Sequence, residues 1–178
     1  MQAATALFAS AAVLLVLAGV VKVSRPTTAA DLMQTLGAPS RGPWSGTHLA
    51  VGLGVIEIAL GVIGLVSELP AAAVAIGVLY VIFGLTVLRA MALGATSCGC
   101  FGRIESPPTW FHVFGNAVLA AAAFTAATAS SPLEVMDAQP AGGIGFVLLV
   151  GVLAGLALVV FTALPEASAA RQSKEVTS

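Results

Sequence analysis

The chain has 178 residues, 58% of them hydrophobic and 8% charged, with a mean hydropathy of +1.03, whereas a soluble domain carries about 25% charged residues. That composition excludes an ordinary water-soluble globule. Seven Lys/Arg against eight Asp/Glu exclude a disordered polyelectrolyte and a basic face for nucleic acid, and two cysteines form no disulfide framework of the secreted kind.

Charges and prolines cut the chain into five apolar runs, each close to the roughly 20 residues that a membrane helix needs. The first, 3–21, ends at Lys22 and Arg25-Pro26. It has no basic residue ahead of it and no small-residue cleavage site before Lys22, so it reads as a retained helix rather than a signal peptide. The second, 49–66, is interrupted only by Glu57 and ends at Ser67-Glu68-Leu69-Pro70. The third, 71–88, stops at Arg89; the fourth covers 110–129; the fifth covers 142–164 and ends at Pro165-Glu166. The expected fold is all-α, a polytopic membrane helical bundle. Residues 1–130 supply a four-helix core with a cysteine-bearing loop at 94–109, residues 131–164 a loop and a fifth, C-terminal transmembrane helix, and residues 165–178 a polar, disordered tail.

Alternating five spans puts segments 22–48 and 89–109 and the tail on one side of the bilayer, and these hold all seven basic residues. The positive-inside rule then places the N-terminus outside and the cysteine loop and C-terminus in the cytoplasm, in the inner membrane of a cell. Helix packing in lipid needs close backbone approach, and Gly54, Ile58, Gly61 and Gly64 on the second span and Gly151-x-x-x-Gly155 on the fifth are the small-residue candidates for it.

The one concentrated chemical signal is Ser97-Cys98-Gly99-Cys100-Phe101-Gly102. A disulfide across one glycine closes a three-residue loop worth only about 1.6 kcal/mol by chain entropy, so stapling explains it poorly. A small, strained ring suits a dithiol/disulfide pair that exchanges electrons, with two inert thiols and a metal site as the alternatives. A metal would need further ligands: His112 opens the fourth span and His48 the second on the same side, which allows a Cys98/Cys100/His112 site for copper(I) or zinc. His112 also reads as an interfacial polar residue, or as a cation that favours a neighbouring thiolate.

Glu57 falls near the middle of the second span, where an ionisable group must be protonated, paired or facing a polar cavity. A proton or charge role and an interhelical bond both remain open. Lys22 can reach inward as its partner or snorkel to the headgroups. Asn116 reads as glue between helices, and Trp44 and Trp110 as interfacial anchors.

Lys22 closing the first helix, Glu57-x-x-x-Gly61 in the second, and Cys98-Gly99-Cys100-Phe101-Gly102 ahead of a helix with Asn116 together resemble the MauE family, within the wider DoxX-like redox-associated membrane proteins. The resemblance covers about residues 5 to 129 and leaves the fifth helix outside it. It implies a membrane thiol–disulfide redox or maturation factor with oxidoreductase activity at Cys98 and Cys100. It also implies a thioredoxin-fold partner and an exported, disulfide-rich client such as the small subunit of methylamine dehydrogenase. A non-enzymatic assembly or scaffold subunit and a metal-handling membrane protein are the competing functions. No motif specifies a cofactor, and quinone use is not legible. An outer-face client combined with a cytoplasmic cysteine loop would require electrons to cross about 30 Å of hydrocarbon, which one dithiol cannot achieve unaided.

Overall fold

The computed structural model describes residues 2–95 and 108–176. Among these residues there are seven α-helices and no strand: α1 (Gln2–Ser24), α2 (Thr27–Thr35), α3 (Gly46–Val66), α4 (Pro70–Ala92), α5 (Trp110–Ala126), α6 (Pro132–Asp137) and α7 (Ile144–Val176), with a 3₁₀ turn at Pro140–Gly143 before α7. All five apolar runs are helical. Four helices are long and apolar enough to cross a bilayer: Ala3–Ser24, Gly46–Val66, Pro70–Ala92 and Ile144–Thr162. The chain is a multi-pass membrane protein.

Most boundaries shift by a few residues, α3 starting at Gly46 and α4 running on to Ala92, and two further shifts bear on the expected architecture. Helix α5 has 17 residues and stops at Ala126 rather than 129, a length of about 25 Å at 1.5 Å per residue. In the other direction, α7 does not stop at Pro165. Its backbone is helical to Val176, across the stretch expected to be a disordered tail, and Glu166-Ala167-Ser168-Ala169-Ala170-Arg171-Gln172 is composed largely of good helix formers. Two short helices, α2 and α6, lie where loops were expected.

Helix α1 is the axis of the bundle. It packs against α3, α5 and α7, while α4 packs against α5. The α1–α3 pair is antiparallel and glycine-mediated. A Cβ built on Gly19 would lie 2.5 Å from the Gly54 carbonyl oxygen, one on Gly54 2.8 Å from the Gly19 oxygen, and one on Gly61 2.6 Å from the Ala12 oxygen. Such approach maximises dispersion contact where lipid provides no hydrophobic drive. At Gly64 an added Cβ would instead meet side chains, those of Ile76 on α4 and Phe8 on α1. Gly151 and Gly155 differ: nothing lies within 4 Å of a Cβ at either, so the small-residue pair of α7 makes no such close approach among the described residues.

The interior is filled by small residues, including Ala11, Ala12, Ala50 and Ala123, while large side chains such as Leu85, Leu148 and Val152 face outward. This inversion of a soluble core suits a lipid environment, where large apolar residues need no cover. Polar groups tie the helices to one another and to the connecting segments. Tyr80 of α4 donates to the Ala11 carbonyl at 2.8 Å, Ser10 reaches the Val150 carbonyl of α7 at 3.3 Å, and Thr5 donates to the Ser130 carbonyl at 3.1 Å.

Candidate functional site

Helices α3 and α4 are joined by a tight turn at Ser67–Leu69, yet touch each other far less than α1 touches α3 or α4 touches α5. The gap between them is a cavity of about 640 Å³. Gly52, Leu53 and Ile56 of α3 form one wall and Ile82, Phe83 and Thr86 of α4 the other. Leu14, Leu15 and Ala18 of α1 close the back, and α2 with the following loop contributes Leu32, Met33 and Trp44. Ile56 and Ile82 are exposed at the protein surface.

Glu57 and Lys22 form the charged floor of this cavity. Glu57 is 11 residues past the first residue of α3, about 16 Å along the helix axis and near its middle. Lys22 is near the C-terminal end of α1, but helical side chains lean toward the N-terminus, which directs its ammonium down the α1–α3 interface. Its Nζ donates to both carboxylate oxygens of Glu57, at 2.8 and 2.9 Å. The carboxylate is fully buried (0% exposed) and Lys22 nearly so (6%). Gly54 and Gly19 allow this pairing by bringing the backbones together; a Cβ on Gly54 would lie 3.0 Å from the Lys22 Cβ. The ammonium also stands 5.7 Å from the centroid of the Phe83 ring, within cation–π range.

His112 and Asn116 line the same cavity from α5, and His48 from the first turn of α3. His112 is buried and serves as the N-terminal cap partner of its own helix: the Thr109 N–H donates to Nδ1 at 3.2 Å, with the Thr109 hydroxyl 3.1 Å away. In the neutral ring this leaves Nε2 carrying the proton, and the ring is hydrogen-bonded to the Phe161 backbone as well and lies 5.8 Å from the Phe161 ring. The Asn116 amide was expected to bridge helices. Its Nδ2 instead donates to the His112 carbonyl at 2.7 Å, the carbonyl one turn back being the nearest acceptor on its own helix. His48 Nδ1 is 2.7 Å from the Ser45 hydroxyl.

Six of the residues singled out in the sequence, Lys22, Trp44, His48, Glu57, His112 and Asn116, therefore share one cavity. Cys98 and Cys100 lie outside the described residues. The chain enters their segment from α4, whose Val87 lines the cavity, and leaves it into α5, whose His112 does so too. The cavity itself, with Phe83, Tyr80 and Phe161 in its walls, was not legible. Tyr80 and Phe83 carried a weak signal, two aromatic rings in the third span with no obvious partner.

No curated protein and no solved structure matches the chain. A family model does, that of methylamine utilisation protein MauE, over residues 1–129. The match takes in α1 to α5, the Lys22–Glu57 pair and the segment holding Cys98 and Cys100, and stops before α6 and α7. By that match, over most of its length, the chain belongs to the MauE family.

Proposed function

We propose that this protein is an integral membrane thiol–disulfide redox or maturation factor, acting through Cys98 and Cys100 in support of the maturation of an exported, disulfide-rich protein. The observation that carries this reading is that the family match runs through the Cys98-Gly99-Cys100 segment. The family's link to methylamine utilisation makes the disulfide-rich small subunit of methylamine dehydrogenase the leading client. In the exchange step one thiolate attacks a disulfide of a thioredoxin-fold partner and forms a mixed disulfide; the second thiolate then displaces the partner. The partner leaves as a dithiol, two electrons richer, and Cys98 and Cys100 become the disulfide.

Trapping tests the step. Of Cys98→Ser and Cys100→Ser, one variant is expected to accumulate a disulfide-linked adduct visible on a non-reducing gel and lost on reduction. No adduct from either, together with full complementation by the double serine variant, would favour the scaffold reading instead. The metal-handling reading gains little support from His112, whose ring nitrogens already serve the α5 cap and the Phe161 backbone.

For orientation we favour the N-terminus outside and the cysteine segment in the cytoplasm, because all seven basic residues then lie on the cytoplasmic side. A membrane-impermeant maleimide should label Cys98 and Cys100 only after cells are permeabilised. Labelling of sealed cells after reduction would reverse the orientation and put the pair in direct reach of exported clients.

A further inference from the structure

We infer that His112 and Phe161 are positioning residues for the segment that holds Cys98 and Cys100: through them α7, the helix beyond the family match, grips the start of α5 and fixes the point where the chain leaves that segment. The grip stands on geometry alone; its consequence for disulfide exchange rests on the thiol reading above.

One half of the grip is a helix cap. Helix α5 begins at Trp110 with Thr109 as its N-cap, so whatever holds Thr109 anchors the C-terminal end of the cysteine segment. His112 does so: the Thr109 N–H donates to Nδ1 at 3.2 Å, and the Thr109 hydroxyl lies 3.1 Å from the same nitrogen. An accepting Nδ1 leaves the proton of the neutral ring on Nε2, at the other edge of the imidazole.

The other half comes from α7. The ring is hydrogen-bonded to the Phe161 backbone, and Pro165 supplies the reason that an acceptor is open there. In an α-helix each carbonyl accepts from the N–H four residues on. Four residues past Phe161 stands a proline, which has no N–H, and α7 remains helical across it. The Phe161 carbonyl thus loses its helical donor, and the imidazole Nε2–H takes that place. The Phe161 side chain completes the contact. It is buried, its ring centroid is 5.8 Å from that of the imidazole, and it fills the space where a Cβ on Gly115 would fall. His112 is only 2% exposed, so water does not compete for either bond. A segment anchored at its end explores less space, which raises the effective concentration of its thiols at a docked partner.

The test uses the full chain in nanodiscs, with a nitroxide on Cys100 in the Cys98→Ser background. Phe161→Ala and His112→Leu should each shorten the rotational correlation time at least about twofold. His112→Gln should recover most of the parent spectrum, because a glutamine here can accept from the Thr109 N–H and donate to the Phe161 carbonyl. Gly151→Leu, on α7 where a Cβ meets nothing within 4 Å, should leave the spectrum unchanged. Pro165→Ala separates positioning from stability. It returns a helical N–H to the Phe161 carbonyl, so it should loosen the nitroxide while the thermal midpoint stays at or above that of the parent. Exchange is read with both cysteines present, against a thioredoxin whose single active-site cysteine carries thionitrobenzoate. A Cys98 or Cys100 thiolate attacks the thioredoxin sulfur, the disulfide between the two proteins forms, and thionitrobenzoate leaves with the electron pair. Phe161→Ala should slow this reaction at least about tenfold and leave that with free dithiobis-nitrobenzoate unchanged. A parent-like nitroxide spectrum in both Phe161→Ala and His112→Leu would overturn the inference, as would an equal loss in the two thiol reactions. A parent that does not exchange with the thioredoxin would instead sink the thiol reading, and the nitroxide spectra would decide the grip without it.

Discussion

Lys22→Met is expected to destabilise the protein by about 3–5 kcal/mol, the cost of removing one partner from a buried ion pair and leaving the other uncompensated. Glu57 is fully buried and both of its oxygens are held by Nζ. Without the ammonium it must either keep a charge near the middle of a membrane helix or take up a proton and seek a new partner in an apolar wall. The double variant Lys22→Met/Glu57→Met should recover most of the loss, because an apolar pair of similar volume has no charge to satisfy and buried ion pairs are often matched by such replacements. Unfolding in detergent, followed by helical circular dichroism, measures both. A double variant as unstable as the single one would mean that the helices, not the charges, need Lys22. The double variant also separates the two roles left open for Glu57. If it is stable and still supports maturation of the client, the pair is structural; if it is stable and inactive, the charge or its proton takes part in function.

The pair was half legible in the sequence. A carboxylate in the middle of an apolar run demands a partner on energetic grounds alone, and Lys22 was the nearest cation in a neighbouring helix. The geometry was hidden because it depends on the antiparallel register of α1 and α3, set by Gly19, Gly54 and Gly61. A hydropathy reading sees glycine as neutral and does not reveal which face it opens. Spans were legible because twenty apolar residues have few other uses. The short helices were overlooked although one was signposted: Ser131-Pro132-x-Glu134 has a proline at the first helical position and forms a capping box, with the Glu134 N–H donating to Ser131 Oγ and the Ser131 N–H to the Glu134 carboxylate. Helix α2 has no side-chain cap, and its apolar residues, Leu32 and Met33, make sense only once the cavity they border is known. The glycine pair of α7 shows the converse limit. Gly151-x-x-x-Gly155 has the same spacing as a packing motif, yet meets nothing among the described residues, because spacing alone does not say which way a helix faces.

Gly54→Leu and Gly52→Leu, the same substitution two residues apart on α3, should have opposite effects. At Gly54 even the first added carbon would lie 2.8 Å from the Gly19 carbonyl oxygen and 3.0 Å from the Lys22 and Val23 side chains. Backbone cannot yield as a flexible side-chain tip does, so α1 and α3 must move apart, at a cost of about 3 kcal/mol or more. At Gly52 nothing lies within 4 Å, and exchanging glycine for a good helix former should be neutral or stabilise by up to about 1 kcal/mol. Thermal unfolding of the two variants in the same detergent makes the comparison direct, and equal midpoints would refute the glycine-mediated register. The consequence extends to the ion pair. If close approach is what brings Lys22 onto Glu57, then in a Gly54→Ala background, where the crowding is smallest, Lys22→Met should cost less than it does in the parent. A double-mutant cycle reads that coupling between two positions that share the α1–α3 interface; an unchanged cost would mean that Lys22 finds Glu57 without the close crossing of the two helices.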